Sequence, residues 1–105
     1  MGRTIFSKDG RFEWDEAKDR LNRKRHGVSF DEILEIFDDP AFLEGYDWEH
    51  SESEDRYYGI GCFNNVLCII VFYTLRERRI RIISARQVDS EEQEKYNDYF
   101  KKAKP

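Results

Sequence analysis

The sequence predicts an α+β domain: a small antiparallel sheet, arranged as a meander, with two N-terminal helices and a C-terminal helix. Three observations carry that prediction. Val66 to Tyr73 is an unbroken apolar run rich in β-branched and aromatic residues, the pattern of a strand buried on both faces. Ahead of it, Asp15 to Phe37 shows two successive helical patterns with start and stop signals. After it, Asp89-Ser90 followed by Glu92-Gln93 marks the start of a third.

Taken in order, residues 1–10 are polar and predict a loosely held, flexible extension, with Asp9-Gly10 as a turn. Residues 11–102 then form one domain and 103–105 a tail. Arg11 to Trp14 fits a short strand at the sheet edge. Asp15 can N-cap a first helix from Glu16 to about His26, with a thin apolar stripe of Trp14, Ala17 and Leu21. Gly27 stands where a left-handed terminating residue belongs. Ser29 and Glu32 form a capping box, with Val28 able to pack on Ile33. Phe30, Ile33, Leu34 and Phe37, at i, i+3, i+4 and i+7, predict a second amphipathic helix, which Pro40 ends. Ala41 to Tyr46 fits another strand, and Asp47 to Asp55 an acidic, mobile loop.

The meander comprises Arg56–Phe63, Val66–Tyr73 and Arg79–Arg86. A two-residue turn at Asn64-Asn65 and a four-residue loop at Leu75–Arg78 fix its parity. Arg56, Tyr58, Ile60 and Cys62 then share a helix-covered face with Leu67, Ile69, Val71, Tyr73, Ile80, Ile82, Ser84 and Arg86. Tyr57, Gly59, Gly61, Phe63, Cys68, Ile70, Phe72, Arg79, Arg81, Ile83 and Ala85 take the other. Two glycines among aromatics and arginines predict a shallow hollow there, open to something flat. The last helix presents Tyr96, Tyr99 and Phe100 on its apolar face.

With 105 residues, 39% hydrophobic and 38% charged, the chain supports one modest core. The net charge of −4 argues against a nucleic-acid binder taken as a whole, but placement matters more than the sum. Bases gather at Lys18–His26 and Arg76–Arg86, acids at Asp31–Asp55 and Asp89–Asp98. A polarised molecule and scattered solvated charge both fit. No segment reads as a signal peptide or membrane span. Cys62 and Cys68 project to opposite faces in this register, which predicts free thiols and a cytoplasmic setting. No metal or cofactor motif is present: His26 and His50 are far apart, and Asp47 to His50 lacks ligand spacing.

Phe12-Glu13-Trp14-Asp15-Glu16-Ala17-Lys18, Asn22, and Lys24-Arg25-His26-Gly27-Val28-Ser29-Phe30 resemble the N-terminal signature of the BrnT toxin family. Asp55-Arg56, Gly61, Arg81-Ile82-Ile83-Ser84-Ala85-Arg86 and Glu92 to Tyr96 continue the likeness in order, so that it spans about residues 12–96. The resemblance implies a RelE-like fold, a small twisted antiparallel sheet with two N-terminal helices on one face and a C-terminal helix, and metal-independent RNA cleavage that halts translation. It also implies neutralisation by a BrnA-like antitoxin with a ribbon-helix-helix part, through which the pair would reach operator DNA. A catalytically inactive relative serving only as the antitoxin's partner is the alternative.

Cleaving RNA without a metal requires cations for the phosphate, a base for the 2′-OH and an acid for the leaving 5′-oxygen. Arginine suits the first task because its planar fork binds two oxygens and keeps its charge. Arg81, on the open face, is the first choice for a phosphate clamp, with Arg79 beside it. Arg86 is second: parity puts it on the covered face, and only a bulge or the strand's end re-aims it. Each also reads as a structural arginine paired with an acidic residue. For acid and base the candidates are Glu54 with Arg56, Tyr96, His26 and Lys24. The resemblance supports Arg56, in an Asp/Glu-Arg pair, and Tyr96. The plain alternatives are a loop charge for Glu54, a helix-end cation for His26, a solvated Lys24 and a core Tyr96. Tyr57, Phe63 and Phe72 are either base-stacking platforms or core.

Overall fold

The computed structural model describes residues 2–64 and 66–103. Its strands are β1 (Thr4–Phe6), β2 (Phe12–Asp15), β3 (Leu43–Tyr46), β4 (Tyr57–Phe63), β5 (Leu67–Arg76) and β6 (Arg79–Gln87), and its α-helices α1 (Glu16–His26) and α2 (Ser90–Ala103). One six-stranded sheet runs β1-β2-β6-β5-β4-β3. All neighbours are antiparallel except β2 and β6, which are parallel, so the sheet is mixed and larger than the expected meander. Phe12 and Trp14 alternate with polar residues, and pairing beside Ile80 and Ile82 buries both on the face those isoleucines already occupy. Thr4–Phe6, expected as a loose extension, pairs with Glu13–Asp15 as an edge strand.

The first helix forms as expected. Asp15 accepts the Lys18 N–H at 3.0 Å, and Gly27 closes the helix at φ 73° with its N–H on the Arg23 carbonyl. The capping hydrogen bond holds the Asp15 carboxyl below its ordinary range. Beyond the end of β2, α1 stands beside β6. There Asn22 is buried and exchanges two hydrogen bonds with the Ala85 backbone, taking a strand's place.

No second α-helix forms among residues 28–40. The Ser29–Glu32 box does close, but the chain continues through turns into a 3₁₀ helix at Leu34–Asp38. Bonds from Ile33 to Phe30, Ile36 to Ile33 and Asp39 to Ile36 repeat every three residues. Phe30, Ile33 and Ile36 are accordingly the fully buried set. The apolar spacing predicts a period near 3.6, whereas the segment lies flat on the sheet with a period of 3.

Two register changes redistribute the meander's faces. Phe63 pairs with Leu67, one residue further than a two-residue turn allows; Asn65 of that turn lies outside the described residues. Tyr57, Gly59, Gly61 and Phe63 therefore share a face with Ile69, Val71 and Tyr73. The glycine hollow on that face is filled by the chain itself. A Cβ on Gly59 would lie 2.0 Å from the Phe42 ring, and one on Gly61 2.6 Å from the Ile36 carbonyl. The next turn is shorter than expected, with Arg76 paired to Arg79 and Glu77 at φ 53°. Opposite the Phe72/Tyr73 step, Ile83 is a bulge: Tyr73 pairs with Ile82, but Phe72 pairs with Ser84. The bulge moves Ala85 onto the first face and turns Ser84 and Arg86 onto the second.

The first face carries the main core, Phe12, Trp14, Ile69, Val71, Tyr73, Ile82 and Ala85 beneath Phe30, Ile33 and Ile36. The second face has a smaller core of Ile60, Cys62, Cys68 and Ile70 under Ala41 and Tyr96 of α2. Cys62 and Cys68, expected on opposite faces as free thiols, sit directly across from each other and form a disulfide. With both thiols joined, the cysteines no longer point to a reducing compartment. An Asp89–Glu92 capping box starts α2, as expected. No helix among the described residues is long and apolar enough to cross a membrane.

Candidate nucleic-acid interface

Because α2 covers only part of the second face, the rest lies open as a trough. Four depressions along it are joined through shared wall residues. The first, about 480 Å³, lies among Lys18, Leu21, Arg76 and Arg81. Lys18 and Leu21 lead into a second of about 200 Å³, bordered by Arg25, His26, Ile83 and Ser84. Ile83 and Ser84 in turn border a third of about 180 Å³ with Asp47, His50, Arg56 and Phe72. Asp47, His50 and Phe72 open into the last, about 340 Å³, which adds Tyr58, Arg86, Glu92 and Lys95. A further hollow of about 410 Å³ is separate: it lies by Phe37, Tyr46, Tyr57 and Tyr73, and no basic side chain lines it.

Local structure aims each trough cation. Lys18, Leu21 and Arg25 fall at i, i+3 and i+7 of α1, on one face of that helix. The Ile83 bulge delivers Arg86, and the parallel pairing of β2 sets Glu13 beside Arg81. Arg81 is ion-paired to that Glu13, with 18% and 12% of the two side chains exposed. One guanidinium carries five N–H donors, so a single carboxylate contact leaves others free. Arg86 is more fully engaged: both terminal nitrogens donate to Glu92 at 2.8 Å. That bidentate contact raises the Arg86 pKa further, and the same contact holds the Glu92 carboxyl below its ordinary range. Arg56 and Arg76 flank Glu54 at 3.7 and 3.6 Å. The Arg56 Nε is buried without a hydrogen-bond partner among the described residues. Lys18, Arg25, His26 and Lys95 make no ion pair among the described residues.

Of the sequence-predicted residues, Arg81, Arg86, Arg56, His26 and Phe72 all border this trough. Glu54 sits just beyond it between two arginines. The others fall elsewhere. Tyr96 is 3% exposed and its hydroxyl donates to Asp39 at 2.6 Å. Burial, then that carboxylate, pushes its pKa up, and the ring packs in the second core. Tyr57 stacks at 5.8 Å on Tyr73 on the first face, and Phe63 packs against the first core. Arg79 lies over the Phe6 ring at 4.6 Å and donates to the Gly10 carbonyl, away from the trough. Lys24 is exposed on α1 and borders none of the four depressions.

Sequence reasoning missed Lys18, Arg25 and Lys95, and it missed Asp47 with His50. The helical spacing of Lys18 and Arg25 with Leu21 was legible. The Asp47–His50 contact, Oδ2 to Nδ1 at 2.9 Å, depends on a 3₁₀ turn at Trp48–His50 that brings residues three apart together.

Residues 14–92 match a protein family described as the ribonuclease toxin, BrnT, of type II toxin–antitoxin systems. The crystal structure of the Brucella abortus ribonuclease toxin BrnT superposes with a TM-score of 0.60 at 26% identity, covering 73% of this chain and 94% of that one. No curated protein matches the chain.

Proposed function

The chain belongs to the family of BrnT ribonuclease toxins of type II toxin–antitoxin systems, and from that premise we propose that it cleaves RNA without a metal in the trough described above, halting translation. The observation that carries the reading is the arrangement of cations. An acidic protein of net charge −4 lines one open channel with Lys18, Arg25, Arg56, Arg76, Arg81, Arg86 and Lys95. Such a channel tracks a phosphate backbone, and Phe72 and Tyr58 within it offer faces for base stacking.

In this reading Arg81 holds a phosphate oxygen beside Lys18, sharing its donors between phosphate and Glu13. The ribose 2′-oxygen attacks the adjacent phosphorus, the bond to the 5′-oxygen breaks, and a 2′,3′-cyclic phosphate and a 5′-hydroxyl remain. A BrnA-like ribbon-helix-helix antitoxin neutralises the toxin, and operator DNA is reached only through that partner. Incubating RNA with the purified protein in EDTA tests the reading. The wild type is expected to cut, and Arg81→Ala to be slower by about 10²–10³-fold, as for loss of one electrostatic donor. Equal cutting by both proteins contradicts it.

One observation favours the alternative of an inactive module that serves only as partner and co-repressor of a DNA-binding antitoxin. Arg81 and Arg86 both already hold carboxylates. A wild type that binds RNA yet leaves it intact supports that alternative.

A further inference from the structure

The trough holds one assembled acid–base pair that the family likeness and the sequence motifs leave unassigned. Asp47 and His50 meet at 2.9 Å through Oδ2 and Nδ1. An ionised carboxylate only accepts hydrogen bonds, so the contact places the imidazole proton on Nδ1 and leaves Nε2 as the acceptor. The carboxylate is well held and the imidazole is accessible: their side chains are 12% and 60% exposed. Asp47 is anchored through its backbone, its N–H donating to the Arg56 carbonyl at 2.8 Å. The Ser51 hydroxyl donates to the Asp47 carbonyl at 2.6 Å and accepts the Arg56 N–H at 2.9 Å. These three ties hold the backbone that carries Asp47, and Asp47 in turn orients the imidazole.

We infer that His50, oriented by Asp47, is the proton-transfer group of the trough, which rests on the ribonuclease reading above. His50 borders both depressions that contain Phe72. The charged groups around it there are Asp47, Glu49, Arg56, Arg86, Glu92 and Lys95. The Nε2 lone pair takes the proton of the ribose 2′-OH as the 2′-oxygen forms its bond to phosphorus. The phosphorus–O5′ bond breaks with its electron pair on O5′, which takes a proton from water. The imidazolium then returns its proton to the hydroxide so formed, and no net proton is gained or lost. Glu92 holds Arg86 beside this group, and Lys95 adds a cation without an ion-pair partner among the described residues. His26 borders the trough on the far side of Ile83 and Ser84, and is the competitor for the same task.

The test is a pH–rate profile for cleavage of a single-stranded RNA oligonucleotide in EDTA by the wild type, His50→Gln, Asp47→Asn and His26→Gln. RNA binding and thermal unfolding are measured alongside. His50→Gln is expected to lose about 10²–10⁴-fold in rate, the range for a positioned acid or base. It should also lose the imidazole limb of the profile while binding RNA and unfolding like the wild type. Asp47→Asn, a positioning change, is expected to shift that limb and to lower the rate less. If His50→Gln keeps wild-type rate and profile, or if the limb disappears in His26→Gln instead, the inference is overturned while the ribonuclease reading stands. A folded wild type that cuts no RNA overturns both.

Discussion

The Asn22 side chain holds both backbone groups of Ala85, its Nδ2 donating to the carbonyl at 2.8 Å and its Oδ1 accepting the N–H at 3.0 Å. The same Nδ2 donates to the Val28 carbonyl at 2.9 Å. One buried amide thereby ties α1 and the corner after it to the free edge of β6, just where β2 stops pairing. Lys18 and Arg25 take their places along the trough from that docking. Asn22→Ala leaves buried backbone groups unsatisfied, each costing about 1–3 kcal/mol. A loss of about 2–4 kcal/mol is expected, seen as a fall in melting temperature of about 10–20 °C for a domain of this size. An unchanged melting temperature would contradict this role.

Gly59 and Gly61 are occupied sites, not an open platform. Gly59→Ala would drive a methyl into the Phe42 ring, and Gly61→Ala into the Ile36 carbonyl, which is backbone and cannot rotate away. Overpacking of this kind costs about 1–3 kcal/mol. Urea midpoints should fall for both variants, and RNA affinity measured under folded conditions should not change. Had the hollow been a stacking surface, the opposite pattern would appear.

Tyr96 divides the sequence reading from the structural one. Its hydroxyl donates to Asp39, which also accepts the Cys62 N–H at 2.9 Å. Tyr96→Phe is expected to cost about 1.5–3 kcal/mol, as for a hydrogen bond to a charged acceptor. RNA cleavage at a temperature where the variant remains folded should be unaltered. A large loss of cleavage with intact stability would restore Tyr96 to the reaction.

The Arg86–Glu92 pair gives the fold an acid-sensitive component. Glu92 titrates below its ordinary value of 4.5 because Arg86 hydrogen-bonds its charged form. A carboxyl with a depressed folded pKa contributes stability above its unfolded pKa and loses it as pH falls through the folded one. Glu92→Gln should therefore be less stable than the wild type at pH 7. The gap should close on acidification from about pH 4.5, as read from urea midpoints at each pH. A gap that widens in acid would mean that the pair does not stabilise the fold.

Much of this was legible in the chain. Asp15, Gly27 and the Asp89–Glu92 box announced both α-helices because caps are local hydrogen-bond chemistry. Val66 to Tyr73 announced the central strand. What failed was long-range or depended on a single residue of register. The Phe63–Leu67 pairing differs from the expected one by one residue, and that alone brings Cys62 opposite Cys68. The Ile83 bulge swaps Ser84 and Arg86 to the other face, and a bulge is one of the two ways, with the strand's end, by which the sequence lets Arg86 get there. The apolar residues from Phe30 to Phe37 fit two helical periods, and contact with Gly61 favours the tighter. For the site, the basic clusters pointed to the helix and the strand that border the trough. The partner Glu13 comes from a strand whose placement beside Arg81 depends on tertiary pairing, and Asp47 meets His50 only through a 3₁₀ turn that no cap or apolar period announces.

The most direct test of the trough reverses charge where no ion pair is lost, at Lys18→Glu and Arg25→Glu together. Cleavage of single-stranded RNA in EDTA is compared with the wild type after both proteins are shown to be folded. The account predicts that the wild type cuts and that the double variant is slower by at least about 10-fold, in proportion to its weaker grip on phosphate. Equal cutting by the two proteins, or none by either, would contradict it.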